Sequence, residues 1–95
     1  MILLMEIYFL YILSSRHHRY LSIGVTSDLK HGISRHRRLV TRKLKRRRVL
    51  QKLVYVECIK NVEEAVERKL RLNRFNRRQL CQLIESVNPS WDSIS

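Results

Sequence analysis

Acidic residues are scarce in this chain. Eight Asp and Glu stand against twenty Lys and Arg in 95 residues, a formal net charge of +12. A surface of that sign repels cationic partners and attracts polyanions. Two glycines and one proline leave no material for flexible or proline-rich linkers. The two cysteines, Cys58 and Cys81, have no CxxC spacing and no clustered histidines. A structural zinc site or a disulfide framework is therefore not indicated. Both read as small buried apolar residues in a reducing compartment, the cytoplasm. No apolar run is long enough to span a bilayer. The start, Met1 to Ile7, is apolar but lacks a basic n-region, is interrupted by Glu6, and precedes no small-residue cleavage site. It reads as part of a buried strand rather than a signal peptide, with Met5 as an alternative start.

What is present suffices for one small domain over 1–95. Hydrophobic residues make up 44% of the chain, enough for a core. A chain of this length buries only about 60–65% of its unfolded surface. The basic residues are also clustered: nine of the fourteen residues from Arg35 to Arg48 are Lys or Arg. Such a run attracts phosphate polyanions through counterion release. A solvated basic loop, or an amphipathic membrane anchor using Leu39, Val40, Leu44, Val49 and Leu50, are the competing readings. No aromatic residue supports the anchor.

Ile7 to Ser14 is almost continuously apolar and predicts a strand buried on both faces. Arg16-His17-His18-Arg19 predicts a hairpin tip, and Tyr20 to Val25 a second strand. Ser27 or Asp28 caps a helix from about Leu29 to Val40. Gly32 weakens that helix by about 1 kcal/mol relative to Ala. Thr41 to Arg48 either continues it or forms a loop. Leu50 to Ile59 predicts the third strand. Asn61-Val62-Glu63-Glu64 and Asn76-Arg77-Arg78-Gln79 are capping-box patterns. They predict helices to about Leu72 and to about Val87. The second helix presents Val62, Ala65, Val66 and Leu72, the third Leu80, Leu83, Ile84 and Val87. Asn88-Pro89 ends the last helix, and Trp91 folds back onto the core. The expected order is β-β-α-β-α-α, an α/β fold.

Tyr11 on the first strand, then Ser22-Ile23-Gly24-Val25-Thr26-Ser27-Asp28-Leu29 on the second strand and helix start, resemble the GIY-YIG nuclease family. The resemblance is to the small single-domain branch, similar to the nuclease module of the bacterial excision-repair nuclease, and covers about 7–91. Its second anchor is Leu83-Ile84-Glu85 followed by Asn88-Pro89-Ser90-Trp91. It implies a three-stranded, mainly antiparallel sheet flanked by helices, and a link to DNA repair. It also implies a site. Tyr11 takes the first motif tyrosine, Ser22 the second, and Gly24 the motif glycine. Tyr20, two residues before Ser22, offers a displaced aromatic. The family arginine falls at Gly32, and Arg35, about one turn on, is its nearest substitute. His36 matches a histidine of many relatives, and Asn88 an asparagine of some. For Arg35 and His36 a solvated face beside the basic run is the preferred competing reading, and for Asn88 a helix stop is an equal one. The metal-holding glutamate falls at Lys69, which interrupts the apolar stripe of the second helix and either faces a cleft or snorkels past the core.

The resemblance therefore points to a nuclease fold with a degenerate site. The expected function is nucleic-acid binding, DNA ahead of RNA, through Arg35, Arg37, Arg38, Arg42, Lys43, Lys45, Arg46, Arg47, Arg48 and Lys69. Metal-dependent cleavage is expected to be lost, with no cofactor. The alternatives are an active endonuclease using Mg²⁺, and a non-enzymatic protein-interaction domain. Metal dependence separates the first from the others, and salt dependence separates the binder from the docking domain.

Overall fold

A computed structural model describes residues 7–44, 50 and 52–94, with the backbone alone at 41, 43 and 44. The elements follow the order β1 (Tyr8–Ser14), β2 (Leu21–Thr26), α1 (Leu29–Leu44), β3 (Lys52–Ile59), α2 (Val62–Asn73) and α3 (Arg77–Val87). Strand order is β2-β1-β3, and both pairings are antiparallel. The most apolar strand, β1, lies in the centre, where both its faces can be covered. Leu10 to Leu13 are all buried there.

Alternate residues of β1 feed two cores, as the period of two requires. Leu10 and Ile12 join Val54, Tyr55, Leu72, Ile84 and Trp91 beneath α2 and α3. Tyr11 and Leu13 join Ile33, Leu50 and Leu53 beneath α1. Between Ile12 and Leu13 the register against β3 shifts, passing from Tyr55 to Leu53. Val54 is thus an extra residue, and it is fully buried. Such a bulge disrupts the ladder locally, and Asn88 Nδ2 donates to the Val54 carbonyl at 3.0 Å. Asn88 also bonds the Asp92 carbonyl and amide. Its structural work explains it without a binding role.

Local chemistry sets the helix ends. Asp28 Oδ1 accepts from the His31 amide at 3.2 Å, and Thr26 Oγ1 accepts from the Asp28 amide at 3.1 Å. Asn61 caps α2 through the Glu64 amide, and Asn76 with Gln79 forms a complete capping box on α3. The first helix continues through Thr41 to Leu44 rather than stopping at Val40. Trp91 does fold back: it is buried, its Nε1 donates to Glu85 at 2.8 Å, and its ring stacks on His18.

Three sequence expectations are corrected. Val62 and Val66 are largely exposed, so α2 buries a narrower stripe of Ala65 and Leu72. Val87 is 67% exposed, because the last turn of α3 has no core beneath it. Cys58 is exposed rather than buried, and Cys81 is half-buried. Cys58 lies opposite Phe9, beyond the cluster under α1.

Candidate functional site

The site is built at the β1–β2 pair, on the face covered by α1. Tyr11 pairs with Gly24, and Leu13 with Ser22. Side chains at 22 and 24 therefore lie on the Tyr11 face. At position 24 there is no side chain, and the Tyr11 ring occupies the space. A Cβ there would meet the ring carbon Cζ at 2.2 Å and the hydroxyl at 2.3 Å. The glycine is thus required by the close passage of the tyrosine, which it directs toward α1.

The hydroxyl of Tyr11 lies 2.8 Å from His36 Nδ1, and the hydroxyl of Ser22 lies 2.6 Å from His36 Nε2. One imidazole thus joins the two motif positions. The rings of Tyr11 and His36 meet edge to face at 5.5 Å. The Tyr11 hydroxyl also lies 3.5 Å from the Gly32 carbonyl, one turn before His36. Sequence reasoning placed Tyr11, Ser22, Gly24 and His36 by resemblance, but missed that Ser22 bonds His36. The signal was available: Ser22 and Gly24 share the Tyr11 face, and His36 follows Gly32 by one helical turn. Tyr20 precedes the first residue of β2, while Ser22 lies within the strand, on the Tyr11 face.

A cleft of about 330 Å³ opens beside this cluster, lined by Tyr11, Gly24, Arg35, His36 and Lys69 among others. Lys69 also lines a second cleft with Ser22 and Asn73. It lies half-buried between Ala65 and Leu72 on the stripe of α2, at the free edge of β2. The charge is felt. Burial holds His36 below the ordinary value of 6.5, and the Lys69 ammonium adds to that. Burial raises Tyr11, opposed by Arg35.

Histidine lowered in the folded state binds fewer protons there than in the unfolded chain near pH 6. Its contribution to stability is present above the unfolded value of 6.5 and is lost as the pH falls toward the folded value. An NMR titration should find His36 titrating below 6.5. In Lys69→Met it should titrate higher and the acid loss of stability should be shallower. An unchanged titration in that variant would separate Lys69 from the site.

Gly32 is a close approach, not an open position. A Cβ there would meet Thr26 Oγ1 at 2.5 Å and Thr26 Cβ at 2.6 Å. A side chain at 32 must therefore displace β2. Of the cations on α1, Lys30, Arg35, Arg38 and Arg42 are exposed, and the three arginines fall within about 60° of one another on the helix, with Lys30 well off that line. Arg37 lies elsewhere, in the groove with Ile33, Leu53 and Ile94. Lys45, Arg46, Arg47 and Arg48, and the side chain of Lys43, lie outside the described residues.

A hard divalent cation requires several oxygen ligands. The cluster offers two hydroxyls, one imidazole and one ammonium, and no carboxylate. Among the described residues no three of His, Cys, Asp and Glu come together as a ligand group. Glu57 faces the other side of the sheet with Tyr55, opposite Leu10. Its oxygens are taken by the Tyr55 hydroxyl at 2.6 Å and Arg68 Nε at 3.1 Å. The described residues of this cluster do not fit a Mg²⁺ site. No helix of the described residues is long and apolar enough to cross a membrane.

No family model matches the sequence, and no curated protein matches it. Among solved structures, a UPF0213 protein of Bacillus halodurans, determined by solution NMR, is similar. It shares 24% identity and a TM-score of 0.59, over 90% of this chain and 89% of that one. UPF0213 is a GIY-YIG-like family. The arrangement of three antiparallel strands and three helices described above is a GIY-YIG-like α/β fold.

Proposed function

We propose that this domain binds nucleic acid through its basic face, DNA ahead of RNA, and does not cleave it by a metal-dependent route. One observation carries the reading. Arg35, Arg38 and Arg42 form an exposed stripe on α1, and Arg35 leads from it into the cleft that Lys69 also lines. Cations in a row, spaced along a helix, suit a phosphate backbone. Nothing on that face marks a base-reading element, so little sequence preference is expected. The run Lys43 to Arg48 extends the same charge in sequence.

The resemblance assigns a metal-holding carboxylate to position 69 and a phosphate-binding arginine to position 32. Lys69 and Gly32 supply neither. Lysine there repels a divalent cation and attracts a phosphate. The active-endonuclease reading keeps one observation in its favour, the joined Tyr11, His36 and Ser22. A plasmid-nicking assay decides between them. The expected result is no more nicking with Mg²⁺ or Mn²⁺ than in EDTA, while anisotropy titration of a labelled duplex in EDTA shows binding. Nicking that requires the metal and is lost in Tyr11→Phe would overturn the proposal.

A further inference from the structure

From the hydrogen-bond pattern around His36, we infer that Ser22 is a nucleophile toward phosphate esters, with His36 as its base. The inference goes beyond nucleic-acid binding and does not depend on it. Nucleophilic serines are recognised by geometry: a hydroxyl within hydrogen-bond reach of a base, and the base held by a third group. Ser22 Oγ lies 2.6 Å from His36 Nε2, and the Tyr11 hydroxyl holds Nδ1 at 2.8 Å.

His36 acts as the base in the tautomer that leaves Nε2 an acceptor, and the surroundings supply a partner for every proton of that tautomer. A neutral imidazole has one donor and one acceptor nitrogen. If Ser22 donates to Nε2, then Nδ1–H donates to the Tyr11 oxygen, and the Tyr11 proton goes to the Gly32 carbonyl at 3.5 Å. Every proton then has an acceptor. In the opposite direction the Ser22 proton turns to the open cleft, and an ester bound there favours the first direction by taking the place of that solvent. The first direction leaves Nε2 free to take the serine proton, with Tyr11 as a positioning residue rather than a catalytic one.

The surroundings fit an anionic ester. Ser22 is half-buried and opens into a cleft with Lys69 and Asn73. Lys69 lines this cleft and the one beside Arg35. A fixed cation at that place can stabilise the charge that develops on phosphoryl oxygens. The step needs no metal. Ser22 Oγ forms a bond to phosphorus while its proton passes to His36 Nε2. The bond from phosphorus to the leaving alkoxide breaks, and that oxygen takes the proton from His36. Water then attacks the phosphoseryl phosphorus and gives a proton to His36. Ser22 Oγ leaves and takes that proton back. The sum is one phosphodiester and one water giving an alcohol and a phosphomonoester.

The test uses a fluorophosphonate probe on the full chain in EDTA, read by intact mass and peptide mapping. The expected result is one adduct, on Ser22. It should be absent in Ser22→Ala and slowed roughly a hundredfold in His36→Gln, the lower end of general-base effects. Tyr11→Phe should shift the pH profile of labelling, which a merely structural tyrosine would not do. A second variant guards against misfolding. In Ser22→Cys, the introduced thiol should react with iodoacetamide at pH 7 roughly tenfold faster than the exposed Cys58, as a histidine-paired thiol does. No adduct on Ser22, an adduct indifferent to His36, or a Ser22→Cys thiol no faster than Cys58 would each overturn the inference. None of these results bears on duplex binding, so the two readings fail separately.

Discussion

Gly24→Ala is expected to be the most damaging single-methyl change in this chain. The new Cβ would lie 2.2 Å from the Tyr11 ring, a separation no packed pair tolerates. Tyr11 cannot rotate away cheaply. It is 3% exposed and packed with Leu13, Ile33, Leu50 and Leu53. Overpacking of this kind costs about 3 kcal/mol. For a domain of this size that lowers Tm by roughly 10–20 °C. In the molecules that remain folded, the Tyr11–His36 bond should be broken and His36 should titrate differently. Thermal unfolding and a histidine NMR titration read the two effects. An alanine variant with the stability and His36 titration of the parent would show that the ring does not lie over position 24.

Gly32→Ala should also destabilise, against the expectation from helix propensity. Propensity alone favours alanine by about 1 kcal/mol. The Thr26 side chain stands 2.5–2.7 Å from the new Cβ, and overpacking there costs about 1–3 kcal/mol. Thr26 cannot simply turn, because its own Cβ is one of the clashing atoms and its hydroxyl caps the start of α1. The steric term wins. In a Thr26→Gly background the clash is absent, and Gly32→Ala should there become favourable. A double-mutant cycle measures the coupling, expected at about 1–3 kcal/mol. Additivity would deny the close approach. The same geometry bears on restoring an arginine at position 32. Gly32→Arg with Lys69→Glu returns both missing groups in sequence, but Thr26 must be cut back first.

The sheet and helices were legible because several signals agreed. The apolar run of β1 demanded a central strand, and two capping boxes marked α2 and α3. Packing decided what was not legible. Val62, Val66 and Val87 have helical spacing suited to a core, but two helices share one face of a three-stranded sheet. That face covers only Ala65 and Leu72 of α2 and Ile84 of α3 fully. Gly32 read as a helix weakness, since the sequence could not show Thr26 lying against it. Asn88 read as a helix stop, since the bulge at Val54 that it satisfies depends on β-register. Within the site, the sequence named Tyr11, Ser22, Gly24 and His36 through resemblance, but not what the Ser22 hydroxyl bonds. Only the Leu13–Ser22 pairing with α1 packed above shows its hydroxyl against the imidazole.

The central claim is that exposed cations on α1 hold a phosphate backbone. Salt dependence of duplex binding, measured in EDTA for the parent and for Arg35→Ala/Arg38→Ala/Arg42→Ala, tests it most directly. Each phosphate neutralised contributes about −0.9 to the slope of log K against log salt. The account predicts a steep slope in the parent and one shallower by about 2.7 in the triple variant, with affinity reduced alike for unrelated sequences. A slope near zero in the parent, or an unchanged slope in a folded triple variant, would contradict it.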